Sequence, residues 1–102
     1  MASKITWSSS ALDDLREIHA FICRDAESYA TRMIERILSA VEPLSDFPQL
    51  GRIVPERNDA SYREVIVRPY RVVYRNSVGR IDIIAVIHGA RDFDRAISDR
   101  FD

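Results

Sequence analysis

The chain has 102 residues, a formal net charge of −1 at pH 7 and 46% hydrophobic residues, which predicts a single globular domain over residues 1–102. Its one cysteine, Cys23, excludes an internal disulfide framework and favours a reducing, cytoplasmic location. The sequence shows no signal core and no membrane-spanning run, so we expect no membrane partner. The near-neutral charge also argues against direct nucleic-acid binding as the main role.

The first part of the chain predicts one strand followed by a helical hairpin. The segment KITW alternates as a short strand does, and any of the three serines after it could cap a helix. Ser10, with Asp13 three residues later, resembles an acidic capping box. Apolar residues at helical spacing predict two helices, with Asp13 and Asp14 on the polar side of the first. The second should kink or end near Pro43, which lacks an N–H donor.

The second part of the chain predicts three strands. Residues 47–61 carry two prolines and a glycine, and we expect a loop there. The segments YREVIV (62–67), YRVVYR (70–75) and RIDIIAVIH (80–88) then read as strands. Gly79, in a left-handed conformation, suits a three-residue hairpin turn between the last two. The order β-α-α-β-β-β predicts an α+β fold with a helical hairpin packed on a mostly antiparallel sheet.

Side-chain alternation predicts apolar residues on both faces of this sheet. If Asn76 pairs with Arg80, Arg71 shares a face with Ile83, and His88 lies on the opposite face. Only one helical layer is available, so the other face needs cover from the C-terminal tail, a second copy or a partner.

The tail, residues 92–102, is short and would be marginal as an isolated helix. We expect Phe93 and Ile97 to be buried against the sheet or a neighbouring subunit, with the residues after Ser98 loose.

The charge is unevenly distributed. Residues 52–80 carry seven arginines against three acids, whereas the segments before and after them are net acidic. Arginine makes planar, bidentate contacts with carboxylates and phosphates. The segment is consistent with an acidic partner and equally with a solvated basic strand face.

Five segments together resemble a known family. PQLGRIVPE, YREVIV, PYRVVYR and IDIIAVIHGARD follow one another behind a hairpin whose first helix contains SALDDLREIHAFI. On these segments the chain resembles the RelE/ParE superfamily, the toxins of bacterial type II toxin–antitoxin systems, and looks closer to the ParE branch. The resemblance implies a hetero-oligomer with a cognate antitoxin that has an acidic amphipathic C-terminal segment, and DNA gyrase as the target. The shared fold does not decide between gyrase poisons and nucleases.

A ribosome-dependent mRNA endonuclease is the alternative function. Cleavage through the ribose 2′-OH needs a base, a group that stabilises charge on the phosphate and an acid, and Glu64, Arg71 and His88 could fill these roles in that order. Against this, Arg71 and His88 are expected on opposite faces, and Lys4 is the only lysine in a chain of near-neutral charge. We therefore expect action by binding rather than catalysis. A degenerate homologue that only binds its antitoxin is a third alternative.

The residues of the HGARD segment (88–92) are predicted to have a structural role at the end of the strand. His88 could donate an N–H to a backbone carbonyl while Arg91 pairs with Asp92 or Asp82. The spacing of His88, Asp92 and Asp94 matches no recognised zinc pattern, so we predict no metal. The sequence has no phosphate-binding glycine loop and no nucleophile elbow, so we predict no cofactor.

Partner contacts are predicted in two places. Arg71 and Arg75 lie in the basic segment and are expected to bind the acidic antitoxin. Arg91, Phe93 and Ile97 are candidates for contact with the target. The family resemblance points to this end of the chain, and the tail has low intrinsic stability.

Overall fold

The computed structural model describes residues 2–101 and has an α+β fold, as predicted. The elements in chain order are β1 (Lys4–Trp7), α1 (Ser9–Cys23), α2 (Glu27–Val41), a 3-10 turn (Glu42–Ser45), β2 (Arg52–Ile53), β3 (Tyr62–Val67), β4 (Tyr70–Ser77), β5 (Arg80–His88), α3 (Phe93–Ile97) and a second 3-10 turn (Ser98–Arg100). The sheet order is β1-β5-β4-β3-β2. Only the β1–β5 pairing is parallel among these strands. Within residues 2–101, no helix is long and apolar enough to cross a membrane.

The helix ends follow from local chemistry, with one change from the prediction. The N-cap of α1 is Ser8, whose hydroxyl accepts the Ala11 N–H at 3.0 Å. Ser8 is one of the three serines that the sequence offered as a cap, whereas Ser10, the residue of the suggested capping box, lies inside the helix. Helix α2 ends at Val41, and Pro43 lies in the 3-10 turn that follows, as expected from its missing donor.

The main core lies between the helical hairpin and one face of the sheet. Apolar side chains of α1 and α2 pack there against alternate residues of β3, β4 and β5. The fully buried members include Ala11, Ile37, Leu44, Val72, Tyr74, Ile81 and Ile83.

A β-bulge changes the register of the β4–β5 hairpin. Val73 pairs with Ala85 but the next residue, Tyr74, pairs with Ile83, so Ile84 has no partner of its own. This extra residue moves Ile83 to the helix-covered face. The predicted sharing of a face by Ile83 and Arg71 is therefore wrong, because a bulge inverts the alternation beyond it.

The turn of this hairpin is also one residue shorter than predicted. Ser77 pairs with Arg80, and Asn76 pairs with Ile81 instead of with Arg80. The loop is Val78–Gly79. Gly79 has a φ of 72°, as expected for the left-handed position.

The second face of the sheet is covered by the C-terminal tail. Phe93 and Ile97 are 3% and 0% exposed and pack with apolar residues of the strands. The buried members of this second cluster are Val54, Tyr62, Val73, Ala85, Ile87, Phe93 and Ile97. The sequence left open whether the tail, a second copy or a partner covers this face, and the tail does so here.

The end of the tail is held, contrary to the expectation that it is loose. Phe101 packs edge-on against Tyr62 with ring centroids 4.8 Å apart, and the Arg57 guanidinium lies 4.3 Å from its centroid. Arg100 donates to Asp14 of α1 at 2.6 Å. The loose-end prediction failed because it considered the intrinsic helix stability of the tail and not its contacts with the sheet.

Candidate functional site

A buried carboxylate joins three strands at one end of the sheet. Glu64 of β3 is 1% exposed. Its Oε1 accepts from Arg71 Nε and its Oε2 from Arg52 Nε, both at 2.6 Å. Strand pairing produces this arrangement, since Arg52 of β2 lies directly opposite Glu64 and β4 lies on its other side. Because an arginine is bonded to each oxygen and the side chain is 0% exposed, neither oxygen of Glu64 is accessible to a substrate.

Arg71 is held by a second carboxylate that the sequence did not single out. Its Nη1 and Nη2 donate to Glu56 at 3.0 and 2.8 Å. The guanidinium carbon also lies 4.7 Å from the centre of the Phe93 ring. These bonds to Glu56 are the main reason that the pKa of Arg71 is raised, and the same bonds lower the pKa of Glu56 below 4.5.

Arg71 therefore already forms ion pairs with two carboxylates of its own chain. It is 9% exposed, its Nε, Nη1 and Nη2 each donate one hydrogen bond to a carboxylate, and its guanidinium carbon lies over an aromatic face. Glu56 was missed because it lies in the predicted loop. The available signal was that it is one of only three acids within the basic segment.

His88 is exposed at the end of β5 and makes local contacts. Its Nδ1 accepts the Ala90 N–H at 3.0 Å, and its ring meets Tyr70 edge-on with centroids 5.6 Å apart. The carbonyl of His88 accepts the Arg91 N–H at 3.0 Å. The imidazole thus accepts from the backbone, where donation to a carbonyl was expected.

The predicted pairing of Arg91 with Asp92 or Asp82 is wrong. Asp82 accepts from Arg80 at 2.9 Å, and Asp92 caps α3 by accepting the Arg95 N–H at 3.3 Å. Both carboxylates have nearer partners, and no ion pair of Arg91 is present in the described part of the chain.

Arg71 and His88 meet at the rim of one cleft although they start on opposite faces. His88 pairs with Tyr70, the neighbour of Arg71, at the end of the β4–β5 ladder. A cleft of about 370 Å³ opens there and is lined by Arg52, Arg68, Arg71 and His88. Glu64 does not line it. Two of the three residues of the alternative catalytic set therefore line one cleft, whereas the proposed base, Glu64, is bonded to Arg71 but does not line that cleft.

Of the remaining residues predicted to contact a partner, the two arginines are exposed and the two apolar residues are buried. Arg75 is exposed on β4, roughly 13 Å along the strand from Arg71. Arg91 is exposed and lines a smaller cleft of about 280 Å³ with Phe21 of α1, which is 67% exposed. Phe93 and Ile97 are buried in the second core, so they can meet a target only if the tail leaves the sheet.

Asp14 is a second buried carboxylate that the sequence prediction misplaced. It is 8% exposed and accepts from the Val86 N–H at 2.8 Å and from both terminal nitrogens of Arg100 at 2.6 and 3.1 Å. The bonds to Asp14 are the main cause of the raised pKa of Arg100. Arg100 also donates to the carbonyl of Ile84, the extra residue of the bulge.

The sequence carried a signal for this role. Asp14 lies three residues after Ala11 and four before Ile18, which places it on the buried stripe of α1 and not on the polar side. A carboxylate in that position needs a partner, because burying an unpaired charge is costly.

Comparison with known proteins gives consistent matches. The family model described as ParE toxin of type II toxin-antitoxin system, parDE, matches residues 5–93. Toxin RelE2 of Caulobacter vibrioides is 32% identical over 90 residues, which cover 87% of this chain and 98% of that protein.

Two solved structures share the fold. The chromosomal ParDE TA system from P. aeruginosa has a TM-score of 0.73 at 19% identity, covering 85% of this chain and 96% of that one. The toxin-antitoxin complex RelBE2 from Mycobacterium tuberculosis has a TM-score of 0.64 at 17% identity, covering 86% and 99%. At these identities the two structures support the fold alone.

Proposed function

The chain belongs to the RelE/ParE superfamily of type II toxins, and from that premise we propose that it inhibits growth by binding a target protein, DNA gyrase, rather than by cleaving RNA. A cognate acidic antitoxin forms a hetero-oligomer with it and neutralises it. DNA gyrase is the target that the resemblance to the ParE branch implies, and the match to the ParE toxin family model supports that branch. The preference for binding over catalysis follows from the side chains.

The state of Glu64 is the observation that carries this proposal. A general base must reach the proton that it removes. Glu64 is 1% exposed and bonded at both oxygens, so it acts as an anchor for β2, β3 and β4. The candidate catalytic carboxylate, Glu64, therefore has a structural role in the sheet.

Arg91 and its neighbour Phe21 provide a surface that a target protein can contact. Exposed arginine and aromatic side chains are enriched where protein interfaces concentrate their binding energy. Both residues line the cleft between α1 and the end of β5, beside His88. We place the target contact there, in agreement with the predicted role of Arg91.

Purified chain tests this proposal in two parallel assays. In a gyrase assay it should inhibit supercoiling and accumulate DNA cleavage complexes, whereas mRNA on translating ribosomes should remain intact. Arg91→Glu should weaken gyrase inhibition. The matched control is Arg95→Glu, which reverses an exposed arginine on α3 and should have no effect.

The result also separates the alternatives. Ribosome-dependent mRNA cleavage without gyrase inhibition would reject the binding proposal in favour of the nuclease. Antitoxin binding with neither activity would identify a degenerate homologue.

A second candidate function, the ribosome-dependent endonuclease, has one observation in its favour. The cleft that joins Arg71 and His88 is also lined by Arg52 and Arg68, and four groups of this kind suit a phosphodiester. Glu56 would have to replace Glu64 as the base, since it is the accessible carboxylate on Arg71. Its lowered pKa makes it a weak proton acceptor, which keeps this function second.

A further inference from the structure

Strand β1 is an edge of the sheet whose outer side is open over two residues. The N–H groups of Lys4 and Ser8 donate at 3.0 Å to carbonyls of the β4–β5 hairpin. Because a strand alternates, Ile5 and Trp7 direct their N–H and C=O groups to the opposite side. Among residues 2–101, no strand lies beyond β1 on that side. The strand therefore presents two N–H and two C=O groups at an open edge.

The open part of this edge is short and has defined ends. At its start, the Ser3 N–H donates to the Ser45 carbonyl at 2.8 Å, and the Ser45 hydroxyl donates to the Ser3 carbonyl at 2.7 Å. At its end, Ser8 caps α1. A strand that pairs here must be about as short as β1 itself, which spans Lys4–Trp7.

The side chains of β1 suit a second copy of the same strand. In an antiparallel pair with a two-fold axis at Thr6, Ile5 lies opposite Trp7 of the second copy. In this register every open N–H and C=O group of both strands has a partner. A β-branched residue opposite an aromatic one, and two threonines opposite each other, are favourable cross-strand pairs.

The charge of β1 also favours a second copy over an acidic segment. Lys4 is the only charged residue of the strand, so an acidic segment would meet a single cation there. With the axis at Thr6, the two copies of Lys4 lie about 13 Å apart along the strands. That distance exceeds the Debye length of about 8 Å at physiological salt, so their repulsion is largely screened.

Apolar surface beside the strand adds to the area that such a dimer can bury. A stable interface typically buries about 800 Å² on each partner, more than one short strand supplies. A cleft of about 770 Å³ begins at Ser3 and is lined by Phe47 and Leu50, which are 64% and 58% exposed. In the antiparallel pair, α1 of the second copy begins opposite Ser3, which brings its Leu12, 38% exposed, to the same end of the strand.

We infer that the chain forms a two-fold homodimer in which β1 pairs antiparallel with β1 of a second copy, with Ile5 opposite Trp7 and the axis at Thr6. The sheets of the two copies then form one continuous sheet. This surface is separate from the cleft that Arg91 lines, so the inference goes beyond the proposed function and does not depend on it.

Cysteine cross-linking of the full chain tests the register. The two copies of Thr6 form a non-hydrogen-bonded pair with Cα atoms about 4.5 Å apart, which a disulfide can span. Thr6→Cys in a Cys23→Ser background should therefore give a disulfide-linked dimer on mild oxidation. Lys4→Cys in the same background is the matched control. Its two cysteines lie about 13 Å apart, too far for a disulfide, and should stay unlinked.

Sedimentation equilibrium measures the affinity of the dimer. Thr6→Lys places two ammonium groups opposite each other across the axis and should weaken dimerisation by about tenfold or more. The fold should tolerate this change, because the new lysine lies beside Asp82 of β5. Thr31→Lys adds the same charge at an exposed position of α2 and should leave the affinity within about twofold of wild type.

Hydrogen exchange gives an independent measurement on the wild-type chain. The amides of Ile5 and Trp7 should gain protection as the chain concentration rises, because each then donates to the second copy.

Each contrary result overturns the inference. A wild-type chain that sediments as a monomer at about 1 mM has no dimer of useful affinity. A dimer that Thr6→Lys does not weaken, or that Thr6→Cys does not link, has its interface elsewhere. Protection of the Ile5 and Trp7 amides only after an antitoxin is added would assign the edge to the antitoxin. The gyrase and ribosome assays test the proposed function separately from all of these results.

Discussion

The link between Arg100 and Asp14 should make the last residues of the chain essential for stability. Arg100→Ala removes two bonds to the Asp14 carboxylate and one to the Ile84 carbonyl. Removing one partner of a buried pair typically costs about 3–5 kcal/mol. The Arg100 side chain is 23% exposed and Asp14 keeps its bond from Val86, so we expect the lower value of about 2–3 kcal/mol.

That loss is large for a domain of this length. Stabilities of such domains are about 5–15 kcal/mol, and 1 kcal/mol moves the Tm by about 4–8 °C. The variant should therefore melt roughly 10–20 °C below wild type. Urea unfolding followed by circular dichroism measures the free-energy difference, and Arg80→Ala is the control. Its exposed pair with Asp82 should contribute less than about 1 kcal/mol.

A double-mutant cycle with Asp14→Asn isolates the pair. Asparagine still accepts the Val86 N–H, so the cycle measures chiefly the interaction with Arg100. We expect a coupling energy of about 1–2 kcal/mol. If Arg100→Ala changes the free energy of unfolding by less than about 0.5 kcal/mol, or if the coupling is absent, the tail is not held as described.

Three further predictions concern the sheet. His88→Gln should lower the free energy of unfolding by about 1 kcal/mol or less, because it exchanges one local hydrogen bond for another, and should leave growth inhibition largely intact. A normally folded variant that no longer cleaves an mRNA cleaved by wild type would favour the nuclease. Glu56→Gln should destabilise the folded protein at neutral pH, and the loss should shrink as the pH falls below 4.5, because a carboxyl whose pKa is lowered in the folded state stabilises that state only while it is ionised. Urea unfolding at several pH values measures this loss, and a difference that does not depend on pH would contradict the ion pair. Arg75→Glu should weaken antitoxin binding at low salt more than at high salt, and equal affinity at both would remove Arg75 from the interface.

The fold was predictable where the pattern is local. Helical spacing located α1 and α2, and the alternating segments located β3, β4 and β5. Gly79 was identified because only a few residue types adopt its conformation easily. Two features lacked such signals. Strand β2 has two residues and forms by pairing with β3, and the bulge at Val73 and Tyr74 has no local sequence mark.

The candidate site was predictable only in part, for the same reason. Arg71 and Glu64 were identified, but each was assigned a chemical role without its partners. Glu56 lies 15 residues before Arg71, and Arg100 lies 86 residues after Asp14. Contacts at such separations are fixed by strand register and by tail docking, neither of which leaves a periodic pattern in the sequence.

Placement of the tail also changes which surfaces can bind a partner. The apolar side chains of the tail pack on the second face of the sheet, so Phe93 and Ile97 are buried. Arg71, the central cation of the basic segment, forms ion pairs with two carboxylates of the same chain. Binding must then use groups that the fold leaves without partners. Among residues 2–101, Arg91 beside the strand end and the arginines Arg32, Arg36 and Arg68 between α2 and the end of β3 form no ion pair, and the two sets line separate clefts. A target and an antitoxin can therefore be recognised by different surfaces. Neutralisation would then require the antitoxin either to extend from one cleft to the other or to act on the tail that lies between the sheet and solvent.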